Sequence, residues 1–122
     1  MVELRDLSGL STTHQTYTML QAVLQVFRAR LTFAQAIAFV AVLPPVLRAI
    51  FVSDWDVDAP RRDFASREAM TAEVRALRPD HNFSTASAIL DVATVLRRHV
   101  DREAFERAIV CLPDGARAFW DA

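Results

Sequence analysis

Two stretches of this chain repeat one another. LPPVLRAIF begins at Leu43 and LPDGARAFW begins at Leu112, an offset of 69 residues. Carried backwards without a gap, that offset sets Thr16 against Thr85, Val23 against Val92, Val26 against Val95 and Arg28 against Arg97. Arg48-Ala49 meets Arg117-Ala118, and Phe51 meets Trp120. Shared identities, shared proline breaks and shared apolar positions together read as a duplication. A duplication restricts the fold severely, because both copies must form the same elements and bury their apolar faces together. Copy one is read over about 13–51 and copy two over about 82–120.

Each copy reads as a long helix, a second helix, a proline break and a short terminal helix. Tyr17, Leu20, Leu24, Phe27 and Leu31 recur at helical steps and predict a helix over about 16–31. Ile89, Val92, Ala93, Leu96 and Val100 predict its counterpart over about 84–100, with Ser84 as N-cap. The second helices start at one aligned position, Thr32 and Asp101, where a side-chain oxygen can accept from free N–H groups. Gln35 follows Thr32 by three residues, as in a capping box.

The linker loop is VSDWDVDAPRR, residues 52–62. A connecting helix follows over about 63–77, with Ala69, Ala72, Val74 and Leu77 on its apolar side. Its N-terminal counterpart, around Leu4 to Leu10, reads as short or irregular. With only 2 Gly, hairpin turns are scarce, and no strand pattern competes. The expected fold is all-α: one domain over 1–122, a compact bundle of about six helices.

Hydrophobic residues make up 52% and charged residues 24%, enough apolar material for a core. A net charge of -1 gives no whole-chain attraction to nucleic acid or to anionic membranes. All 14 basic residues are Arg, which reads as coding bias. The charge-free stretch LTFAQAIAFVAVLPPVL, Leu31 to Leu47, is broken by Pro44-Pro45. A spanning helix needs roughly 20 apolar residues, so no membrane segment is expected. The N-terminus carries Glu3 and Asp6 without an apolar signal core, and Cys111 is the single cysteine. Both fit a cytoplasmic protein.

The chain resembles a known family, the bacterial domain of unknown function numbered 2267. The likeness rests on TYTMLQAVLQVFRARLT, LPPVLRAIF, Trp55 and LRRHVDREAFERAIVCLPDGARAFW, and it covers nearly the whole sequence. It implies a small helical cytoplasmic protein with no established activity and no catalytic residue to carry over. One departure stands out. In that family the second helix of the first half usually keeps some charged or polar residues, and here it has only Gln35.

The duplication supplies an internal control for that helix. Inner positions are apolar in both copies: Ala36 with Phe105, Phe39 with Ala108, Val40 with Ile109, Leu43 with Leu112. Outer positions differ. Phe33 faces Arg102 in the alignment, Ala34 faces Glu103, Ile37 faces Glu106 and Ala38 faces Arg107. Phe33, Ala34, Ile37, Ala38 and Ala41 therefore form one apolar stripe. Burying a side chain such as Phe or Ile is worth about 1.5–3 kcal/mol, so a cover is expected. Two covers fit: the N-terminal segment Leu4 to Leu10, or another protein, most simply a second copy in a twofold homodimer.

Other chemistry is sparse. Asp54, Asp56 and Asp58 resemble the start of a calcium loop, but Ala59 and Ala65 stand where that loop needs Gly and Glu. His14, His81 and His99 show no paired metal spacing, and Cys111 reads as a helical packing residue. Gly9 and Gly115 are isolated, so no phosphate loop forms. The expectation is a non-catalytic interaction module, without metal or cofactor, that self-associates through the stripe. The alternative is a small-molecule-binding protein with a cleft between the repeats, built from Arg48, Trp55, Arg117 and Trp120.

Overall fold

The structure is a computed structural model describing residues 13–77 and 87–121, with side chains from Tyr17 onward. Seven helices, and no strand, lie among the described residues. They are α1 (Thr13–Arg28), α2 (Phe33–Val40), α3 (Pro45–Val52), α4 (Arg67–Ala76), α5 (Ala88–Arg98), α6 (Arg102–Val110) and α7 (Gly115–Phe119). That accords with the expected bundle of about six, counting three helices in each half and the connecting helix. The Leu4–Leu10 element and the Ser84 cap lie outside the described residues.

Local chemistry sets most boundaries. The Thr32 hydroxyl accepts from the Gln35 N–H at 3.2 Å, and the Gln35 side chain accepts from the Thr32 N–H at 2.9 Å, closing the capping box that starts α2. The Asp101 carboxylate caps α6 by accepting from Glu103 N–H at 3.0 Å and Ala104 N–H at 3.3 Å. Pro45 occupies the first turn of α3, where a missing N–H costs nothing. The start of α4 is a correction. Ser66, not a residue near Asp63, caps it, accepting from Ala69 N–H at 3.1 Å. Its buried side is Met70, Thr71 and Val74, while Ala69 and Ala72 are exposed.

Helix α1 is central. From Thr18 to Arg28 nearly every side chain is buried, so this part of the helix is surrounded rather than merely amphipathic, and Tyr17 just before it is exposed. It packs against α3, α4 and α5; α2 packs against α6, α4 against α5 and α6 against α7. Phe27 anchors an aromatic core, with ring centroids 4.8 Å from Phe39, 4.9 Å from Phe119 and 5.1 Å from Trp120.

Residues 69 apart play matching parts. Arg28 donates to the Phe51 carbonyl at 2.7 Å, and its aligned partner Arg97 donates to the Trp120 carbonyl at 2.7 Å. Each arginine leaves the end of a long helix and binds the carboxyl end of a short one, where free carbonyls favour a cation. Arg30 is also buried. It pairs with Glu73 on α4 and donates to the Val26 carbonyl at 3.0 Å, tying α4 to α1.

Candidate functional site: the outer face of α2

Helix α2 buries Ala36 and Phe39 and turns Phe33, Ala34, Ile37 and Ala38 outward, with Ala41 at its C-cap also exposed. Phe33 is 59% exposed and Ile37 44%. About two turns of capped helix thus present apolar side chains to solvent in the single chain. At its N-terminal end the stripe meets the linker loop: Phe33 stacks on Trp55 at 5.3 Å between centroids, with the ring planes 20° apart.

The loop end of this face is built from beneath. Arg28 donates to the carbonyls of Phe51, Ser53 and Asp54, which fixes the turn after α3. Its guanidinium lies 5.4 Å from the Trp55 ring centroid, within cation–π range. Burial lowers the Arg28 pKa from its ordinary value, and the charge of Asp54 acts in the opposite direction. Asp54 itself holds a left-handed φ of 52°, a region Asp tolerates better than most residues. Phe33, Trp55 and Val57 share a cavity of about 160 Å³ with Arg28, Asp54, Asp56 and Arg61 among its walls.

The corresponding face of α6 is charged and exposed or half-buried. Glu106 accepts from Arg97 at 2.9 Å and lies 3.6 Å from Arg117; Arg107 stands 3.9 Å from Glu103. The hydrogen bond from Arg97, with the nearby charges of Arg97, Arg117 and Arg102, holds the Glu106 carboxyl below its ordinary value. Such exposed pairs add little stability individually.

The four residues expected to frame an inter-repeat cleft are not brought together. Trp120 is fully buried against Phe27, Phe39, Phe105 and Phe119, and its indole N–H has no acceptor among the described residues. Trp55 sits half-buried at the stripe. Arg48 donates to the carbonyls of Leu43 at 2.6 Å and Ala41 at 3.2 Å, fastening the end of α2 to α3. Arg117 pairs with Glu106. Cys111, expected to pack, is exposed at the C-cap of α6.

A different groove does lie between the two halves of the chain. Leu20, Pro44, Val46 and Leu47 from the first meet Val92, Val95, Leu96 and His99 from the second around about 440 Å³. Sequence reasoning missed it because its aliphatic residues each read singly as core, and Pro44 and His99 read as a helix break and a helix end. It missed the burial of Arg28 and Arg30 as well, since cations flanking a greasy stretch ordinarily face water. The partner carbonyls and Glu73 that make their burial tolerable are visible only in three dimensions.

Among the described residues, no group of three or more His, Cys, Asp or Glu could hold a metal ion, and no helix is long and apolar enough to cross a membrane. Fold and surface together define a small all-helical protein with an uncharged helix face turned outward. The family described as "Uncharacterized conserved protein (DUF2267)" matches residues 1–119, and the chain belongs to that family. No curated protein matches the chain.

Proposed function

We propose that this protein is a non-catalytic, cytoplasmic interaction module that self-associates through Phe33, Ala34, Ile37, Ala38 and Ala41, and that its two halves arose by duplication. The carrying observation is the contrast between equivalent helices: α6 has Glu106 between two arginines where α2 has Ile37 at 44% exposure. The matched caps of Thr32 and Asp101, and the matched bonds of Arg28 and Arg97, support the duplication and make the contrast meaningful. A face without charge suits a partner face without charge, and a second α2 is one. Its mixture of bulky Phe33 and Ile37 with small Ala34, Ala38 and Ala41 permits close approach of two helices. The test is sedimentation of the protein and of Ile37→Glu, which imitates α6. A dimer that becomes a folded monomer supports the proposal; an unchanged mass removes this face from the assembly.

A second reading, binding of an apolar small molecule, draws on the inter-copy groove, whose volume falls within the usual range of ligand sites. A rise in melting temperature with an apolar ligand, abolished by Val46→Asp, would support it.

A further inference from the structure

The stripe on α2 differs from one end to the other, and the difference selects how a second copy can lie on it. Bulk is concentrated at the N-terminal end, where Phe33 begins the helix and stacks on half-buried Trp55. The other end is small: Ala38 and, at the C-cap, Ala41, both exposed. Ile37 lies midway, four residues from Phe33 and four from Ala41. These three therefore form one row along the helix, spanning about 12 Å at 1.5 Å per residue.

Charge is unequal in the same sense. The loop that carries Trp55 also carries Asp54, Asp56 and Asp58, all exposed. Arg28 lies close enough to act on Asp54, and Arg62 of the same loop is paired with Glu73. Exposed Asp56 and Asp58 remain at this end, with Arg61 on the cavity that Asp56 also lines. The Asp56 carboxylate accepts from the Asp58 N–H at 3.0 Å, which holds the turn. The C-terminal end of α2 carries the opposite sign. There Arg48 is exposed, with its guanidinium on the carbonyls of Leu43 and Ala41.

A twofold axis can pair two α2 helices in two senses. With the axis along the helices they run parallel, and like meets like. Rings then crowd rings at one end, alanines leave a gap at the other, and aspartates and Arg48 each face their own kind. With the axis across the helices they run antiparallel. Ile37 then meets its own mate at the axis, each Phe33 meets the partner's Ala41, and each acidic turn approaches the partner's Arg48. Bulk fills the space that small side chains leave, and opposite charges face each other twice.

We infer that the stripe docks antiparallel on a second copy of this chain, with the Phe33–Trp55 pair of each copy over the partner's Ala38 and Ala41 and the Asp56–Asp58 turn of each facing the partner's Arg48. Trp55 is then the anchor. Its ring is held beforehand by Phe33 and by Arg28 within cation–π range, so little freedom is lost on docking. The orientation rests on self-association through the stripe, to which it adds Trp55 and a charged rim.

Disulfide trapping in the full chain with Cys111→Ser separates the face from the orientation. Ile37→Cys alone should oxidise to a linked dimer, because Ile37 lies nearest the axis in either sense. Failure to link there would remove the stripe from self-association, leaving it to a different protein, and the orientation would fall with it. A mixture of Phe33→Cys chains and Ala41→Cys chains should give the mixed disulfide in several-fold excess over linked pairs of Phe33→Cys chains. Equal or greater yield of those pairs, with Ile37→Cys still linking, would keep the stripe and overturn the antiparallel arrangement. Charge gives a second measurement, by sign. Asp56→Asn with Asp58→Asn should weaken association several-fold at low salt, and the effect should fade as the screening length falls from about 30 Å at 0.01 M to about 3 Å at 1 M. Tighter association would mark the parallel sense, where the same change relieves repulsion, and unchanged association would remove the charged rim. Trp55→Ala should weaken association by about tenfold or more with helical circular dichroism retained, and undiminished association would take Trp55 out of the interface.

Discussion

Helices α2 and α6 share a frame and differ in one face. Both begin at a side-chain cap, Thr32 or Asp101, and both bury two inner residues, Ala36 and Phe39 or Phe105 and Ile109. Large and small side chains are exchanged between aligned inner positions, Ala36 for Phe105 and Phe39 for Ala108, which keeps packed volume near constant across the pair. The outer faces obey no such constraint. On α6 they hold Arg102, Glu103, Glu106 and Arg107; on α2 they hold Phe33, Ala34, Ile37 and Ala38. A shared core fixes what points inward, and what a helix meets outside fixes the rest.

The inner equivalence is the part most costly to disturb. Phe39→Ala on α2 and Phe105→Ala on α6 should each lower the unfolding free energy by about 3–5 kcal/mol in denaturant titration, as for other buried Phe truncations. A loss below about 1 kcal/mol in only one of them would break the equivalence.

The outer difference is tested by grafting. Phe33→Arg, Ala34→Glu, Ile37→Glu and Ala38→Arg together give α2 the face of α6. The grafted chain should keep its helical circular dichroism and weaken self-association at least tenfold, roughly 1.4 kcal/mol, in sedimentation equilibrium. Undiminished association would show that the two faces do not differ in the way that matters.

Smaller effects sharpen the shared frame. Thr32→Ala and Asp101→Ala should each cost about 1 kcal/mol of stability by thermal melting, since each leaves N-terminal N–H groups without their acceptor. Similar costs would support equivalent capping roles.

The smallest effect is confined to the charged face. Glu106 ionises more readily in the folded chain than its ordinary 4.5, because Arg97 hydrogen-bonds it and Arg97, Arg117 and Arg102 stand nearby. Its contribution to stability is present above that ordinary value and is lost as pH falls below it, through the lower folded value. Melting temperatures of the parent chain should therefore drop slightly more than those of Glu106→Gln on acidification below 4.5. Identical pH profiles would show that the exposed pairs are fully screened.

Much of this was legible before any coordinates. Thr32 with Gln35, Asp101, and the proline breaks are local signals, because a cap needs only residues within four positions of one another. The inner and outer sides of α2 and α6 could also be assigned, since helical period alone sorts residues by face. The candidate stripe came from the same arithmetic. The cleft residues were misplaced because nothing local tells a tryptophan in a core from one at a rim: Trp120 is surrounded by aromatic rings, whereas Trp55 stacks on Phe33 at the stripe.

What the sequence determined by itself is the helical class, the caps, the breaks and the asymmetry between two aligned helices, all consequences of short-range backbone chemistry and periodicity. Only the tertiary structure decided that α1 would be buried along nearly all of Thr18 to Arg28, that Arg28 and Arg30 would turn inward onto carbonyls and Glu73, and that a groove would open between the two halves. Those outcomes depend on which groups meet across the core, and burial of a charge or of a whole helix is decided by such partners rather than by the residue concerned.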